Sequence, residues 1–129
     1  MSNEVHAARR GPEQPEGGID LAGAARELLE QAHGLAAGRA ARTLTPGAGA
    51  PLKQTLMAIA AGQRLEEHRA PGSATLQVLF GDVTLRTGDD ELPLHQGHWA
   101  VIPPATHDLR ADADTVVLLT VAMPGHDAG

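Results

Sequence analysis

ATLQVLFGDVTLRTGDDELPLHQGHWAVIPP, residues 74–104, reads as a series of short strands. Each apolar segment is a few residues long and stops at Gly81, Gly88, Gly97 or Pro103. Glycine interrupts a ladder through its conformational freedom, and proline through its missing N–H. DVTLRT and ELPL flank Gly88-Asp89-Asp90, a hairpin-turn signal. The same texture extends outward to LKQTLMAIAAG and QRLEEHR on one side, and to HDLRAD and TVVLLTVAMPG on the other. Short strands recurring at such spacing predict an all-β sandwich or barrel over residues 52–124. ATLQVLF and VVLLTVA are continuously apolar, which predicts strands covered on both faces.

Upstream the texture differs. Residues 1–18 are rich in Gly, Pro, Glu and Arg, with too little apolar surface to offset the entropy of ordering, and are expected to be a disordered tail. Asp20 stands at a helix N-cap position before LAGAARELLEQAHGLAAG. Leu21, Ala25, Leu28, Leu29 and Ala32 follow the rhythm of an amphipathic helix, which Gly34 or Gly38 would end. The Gly/Pro segment TPGAGAP, 45–51, is a linker, so residues 19–51 are expected to be a helix and linker packed on the barrel. GRAARTL, just before the linker, is a candidate short strand.

A chain of 129 residues accommodates one domain with one core. With one Phe and one Trp, that core must be built from Leu, Val, Ile and Ala. The scarcity of aromatic platforms and the formal charge of −6 argue against nucleic acid as a partner. No run approaches the length of a membrane span, and the N-terminus lacks the apolar core of a secretory signal, so a cytoplasmic location is the expectation. With no cysteine, thiolate ligands, cysteine nucleophiles and disulfides are excluded. Ser2 and Ser73 are the only serines, and neither sits in a nucleophile elbow.

Two spaced motifs lie within the strand-rich region. Gly62 is followed by five residues and then His68, and Gly81 closes the frame; Ala70 and Ala74 stand where a second histidine and a glutamate would complete it. Fifteen residues separate Gly81 from Gly97, which is followed by five residues, Pro103 and then His107. In this frame the chain resembles the cupins, in particular small single-domain cupins of the RmlC-like, cupin-2 type, with a degenerate metal-binding motif. The resemblance spans about residues 52–122 and implies a double-stranded β-helix, or jelly-roll barrel, here preceded by one N-terminal helix. It also implies a homodimer, for which GRAARTL is the candidate exchanged or interface strand.

An H-x-H pair places two imidazoles about 6.6 Å apart along one strand face. With a glutamate and a further histidine, such a set suits Fe(II), Mn(II), Ni(II), Cu(II) or Zn(II) and leaves positions open for substrate. Here only His68 and His107 occupy ligand positions. Glu66 shares a face with His68 on a regular strand and is the best substitute on parity; Gln77 would need a bulge to turn it inward. Alternatively the two histidines are hydrogen-bonded barrel residues that bind no metal.

Three functional readings follow. In the first, the chain binds a small molecule in the barrel without catalysis, the alanines at ligand positions leaving apolar volume. Leu76, Val78 and Trp99 are the expected pocket residues, Trp99 alternatively packing at the rim. In the second, one divalent transition metal on His68 and His107 supports dioxygenase, isomerase or decarboxylase chemistry. In the third, the N-terminal helix is a partner surface. Asp108 and Asp112 read as turn residues, and His6, His33 and His126 as surface histidines.

Overall fold

A computed structural model describes residues 17–47, 49–68 and 72–123, with residues 67 and 68 described by their backbone alone. Residues 1–16 of the expected tail therefore lie outside the described residues, as do His6, Ala70 and His126.

Helix α1, Leu21–His33, starts where the cap signal predicts, because the Asp20 carboxylate accepts the Gly23 N–H at 3.1 Å. Such a cap is worth about 1 kcal/mol. Gly34 ends the helix, its N–H donating back to the carbonyls of Glu30 and Gln31. The helix buries Ala24, Ala25, Leu28 and Ala32 along one stripe, and that stripe is what docks it.

Nine strands follow: β1 Arg39–Thr43, β2 Leu52–Ile59, β3 Arg64–His68, β4 Ala74–Phe80, β5 Asp82–Thr87, β6 Asp90–His95, β7 Trp99–Ile102, β8 His107–Ala111 and β9 Thr115–Ala122. They form two antiparallel sheets, one in the order β1-β2-β9-β4-β7 and the other in the order β3-β8-β5-β6. The sheets face one another over a core that includes Ile59, Leu76, Val78 and Val117 from the larger and Val83, Leu85 and Leu109 from the smaller. Strands β2 and β9 are buried on both faces, since Leu56, Ala58 and Val116 point outward under α1. This explains the unbroken apolar run of β9. Strand β4 differs from the expectation: Leu76 and Val78 are buried, but Gln77 and Phe80 are exposed.

The candidate strand GRAARTL is β1, and it pairs with β2 of its own chain from Arg39↔Ile59 to Thr43↔Thr55. The larger sheet thus begins within the segment read as helix and linker. The predicted hairpin is present with a tighter loop, because Asp90 already pairs with Thr87 and only Gly88 and Asp89 make the turn. The three motif glycines, Gly62, Gly81 and Gly97, all have positive φ, at +87°, +90° and +89°. Only glycine takes that backbone readily, so the frame is legible even where its ligands have changed. No helix among the described residues is long and apolar enough to cross a membrane.

Candidate functional site in the barrel

The second motif places one ionisable side chain in the apolar interior. His107 opens β8 after the turn Pro103–Thr106 and is 3% exposed. Its Nδ1 lies 3.0 Å from the carbonyl oxygen of Ala105. A carbonyl only accepts, so Nδ1 is the donor in this contact. The ring borders a cavity of about 20 Å³ whose walls include Met57, Leu65, Leu76, Ile102 and Leu109. That is room for about one water molecule. The volume expected from the alanine substitutions is closed at Ala74, which is 4% exposed and stands in register between Ile102 and Val121.

The backbone of His68 is directly opposite His107 in the β3–β8 ladder, so the two motif histidines occupy one register position. The His68 side chain lies outside the described residues. The proposed substitutes fall elsewhere. Between Leu65↔Leu109 and His68↔His107, β3 advances three residues while β8 advances two, which marks a bulge. The bulge cancels the parity argument for Glu66, which is exposed next to the inward Leu65. Gln77 is exposed between the buried Leu76 and Val78, and the β4 irregularity comes only after Val78, too late to turn it inward. Among the described residues no three His, Cys, Asp or Glu side chains are grouped to hold a metal ion. The described donors around His107 therefore do not make up a metal's ligand set.

Of the expected pocket residues, Leu76 borders the cavity and Val78 is fully buried in the surrounding core. Trp99 does not join them and is corrected here. It is 59% exposed and pairs with Gln77 on the outer face, because Ala100 and Ile102 are the residues of β7 that turn inward. Strand parity, not hydrophobicity, decided its side.

Asp108 is also corrected. It is not a turn residue but the second residue of β8, 2% exposed. The Arg86 guanidinium donates to both its oxygens at 3.2 and 2.6 Å, and Arg64 stands at 3.7 Å. The Arg86 hydrogen bond holds its carboxyl below the ordinary aspartate range, against the upward pull of burial and helped by the charges of Arg86, Arg64 and Arg110. At Asp112 burial also pulls upward, but the Thr84 hydroxyl and the Arg110 guanidinium outweigh it. At Asp114 the Ala61 N–H and then His33 lower the carboxyl. These groups brace the smaller sheet and the strand ends outside the lumen. His95 and His98 lie at the β6–β7 turn, where the His95 ring meets Asp82 at 2.7 Å and the His98 ring accepts the His95 backbone N–H. Neither histidine reaches the His107 site.

Solved structures share this architecture. A conserved protein of unknown function from Streptococcus pyogenes superposes with a TM-score of 0.63 at 25% identity, over 70% of this chain and 79% of that one. A cupin superfamily protein from Desulfitobacterium hafniense gives 0.61 at 15% identity, over 66% and 77%. The chain has the cupin fold. A salicylate 1,2-dioxygenase from Pseudoaminobacter salicylatoxidans, solved in adducts with gentisate, also contains this cupin architecture, at TM-score 0.71 and 20% identity over 93% of this chain and 39% of that one. No family model and no curated protein matches the sequence. Within the cupin frame of this chain, Gly62, Gly81, Gly97 and His107 are in place, while alanine stands at the glutamate position, Ala74, and at the inner glycine position of the second motif, Ala105.

Proposed function

We propose that this cupin binds a small molecule in its barrel, at the end where His107 meets the apolar wall. The observation that carries this reading is a single buried imidazole, oriented by the Ala105 carbonyl, in a lining otherwise made of Leu, Ile, Val and Met. Apolar walls with one oriented polar group are the general form of a small-ligand site. At about 20 Å³ the cavity admits only the tip of a ligand as it stands. Occupation then requires side chains to move apart, and the half-buried Met57 and Leu119, with Met the most adaptable of core residues, are placed to do so.

Gentisate and salicylate are suitable first probes. The expected result is movement of the Met57 and Leu76 methyl resonances on titration. His107→Leu should weaken that binding about tenfold, the worth of one hydrogen bond of about 1.4 kcal/mol. If no apolar acid, phenol or alcohol in a wider panel moves these resonances in the wild-type protein, the reading fails.

A second reading, a metal-dependent enzyme using His68 and His107, is favoured by two observations. The histidines are opposite one another in register, and the Nδ1 contact of His107 to a backbone carbonyl is the orientation that metal-ligating histidines commonly have. Elemental analysis decides it. A near-stoichiometric transition metal lost in both His68→Ala and His107→Ala would replace the first reading by this one, whereas no metal after incubation with Fe(II), Mn(II), Ni(II), Cu(II) and Zn(II) would retire it.

A cytoplasmic homodimer completes the proposal. Exposed Trp99 and Val101 on the larger sheet support it, as do the open edges at β1 and β7. Sedimentation at micromolar concentration should give a dimer that Trp99→Lys dissociates; a wild-type monomer would refute it.

A further inference from the structure

A second apolar space lies outside the barrel, between α1 and the outer face of the larger sheet. Its volume is about 410 Å³, within the range that takes a small organic molecule and far above that of the cavity at His107. Leu21, Ala25 and Leu29, at four-residue spacing on one side of α1, form one wall; Leu79, Phe80 and Val116 form the other wall and the floor.

Two local features create this space. Ala22 and Ala25 are small, so the helix stands over the sheet there without filling the gap. Strand β4 carries a bulge at the same place: Val78 pairs with Val117 and Phe80 with Val116, leaving Leu79 as the extra residue. The bulge brings two consecutive large side chains, Leu79 and Phe80, to one groove, which a regular strand would send to opposite faces.

The groove contains one charged residue, Arg26. It is exposed, and among the described residues it makes no ion pair, although Glu30 follows one turn later on the same helix. A guanidinium at the edge of an apolar slot complements a carboxylate at the end of an apolar body, since its fork of N–H donors fits both oxygens. Residues 1–16 suit the space poorly, being mostly polar or charged.

We propose that this groove binds a small monocarboxylate with an apolar chain or ring. The body lies along Leu29, Phe80 and Val116, and the carboxylate meets Arg26. The site is separate from the barrel and does not depend on the function proposed for the lumen.

Calorimetric titration of the full chain with octanoate, octanol and octylammonium tests the assignment. Octanoate is expected to bind most tightly and octylammonium least. Arg26→Glu, a change at an exposed helix position, should weaken octanoate by about fivefold or more, leave octanol unchanged and favour octylammonium. Ala22→Phe, also at an exposed position, places a ring in the groove and should remove binding of octanoate and octanol while the thermal melt stays cooperative. Absence of saturable octanoate binding by the wild-type chain up to about millimolar concentration overturns the proposal. So does octanoate binding that is lost in His107→Leu but kept in Ala22→Phe, which would place the probe in the lumen. A dimer that covers Phe80 and excludes octanoate would overturn it in favour of a second copy as the occupant.

Discussion

Replacing Gly81 by alanine is expected to cost about 3–5 kcal/mol, enough to leave the barrel largely unfolded if its stability is at the low end of the ordinary range. Gly81 has φ +90°, and a Cβ built there would collide with the backbone carbonyl of Asp114 and crowd Thr115. Neither neighbour can yield easily. Thr115 is fully buried, its hydroxyl accepts the Asp82 N–H, and the same oxygen lies 2.8 Å from the carbonyls of Asp82 and Ala113. Gly62→Ala is the matched control, because Gly62 has a similar φ of +87° but nothing within 4 Å of the added carbon. It should cost only the backbone strain, about 1–2 kcal/mol. Thermal melts followed by circular dichroism should put Gly81→Ala about 10 °C or more below the wild type and well below Gly62→Ala. Equal losses in the two variants would show that the close approach at Asp114 is not what holds the position.

Asp108→Ala is expected to cost about 2–3 kcal/mol, and the loss should depend on pH. The carboxylate is 2% exposed and receives both Arg86 bonds, so its removal strands guanidinium groups on β5 and β3. Those arginines are 35% and 51% exposed and can turn to water, which keeps the penalty at the lower end for a broken buried pair. A carboxyl held below its unfolded value contributes stability that is complete above about pH 4 and is lost as pH falls through the folded value. Asp112 and Asp114 act with the same sign. The wild-type chain should therefore lose stability steeply on acidification below about pH 4. Asp108→Ala, already lacking the carboxylate that Arg86 holds with two hydrogen bonds, should show a shallower loss over the same range. Denaturant midpoints measured from about pH 6 down to about pH 2 would show it, and parallel curves for the two proteins would refute the linkage.

How much of the site could be read in advance depended on the range of the interaction. Alternation correctly turned Gln77 away from the lumen, between the buried Leu76 and Val78. The same rule failed for Glu66, because a single inserted residue in β3 resets parity before His68 is reached. Trp99 failed for a related reason: its strand is only Trp99–Ile102, too short for the pattern to show which residues turn inward. Asp108 looked like a turn residue because aspartate after a Pro-rich segment usually is one, and its partner Arg86 lies 22 residues away on another strand. Only a signal in the pairing of β5 with β8 could have revealed that buried pair.

By itself, the sequence determined the properties that a few consecutive residues decide. These are the helix opening at Asp20, the strand texture from Leu52 onward, the hairpin at Gly88, and the glycine frame that the cupins share. Each follows from local backbone preference, a cap hydrogen bond or an unavoidable positive φ, and needs no knowledge of distant neighbours. Only the tertiary structure decided which face each side chain occupies, how little space remains beside His107, and that a groove opens between α1 and β4. Those outcomes depend on register and bulges, which are set by the packing of strands far apart in the chain. A missing side chain at one position is filled or left open according to what the opposite sheet brings to it, and that is settled only when the two sheets meet.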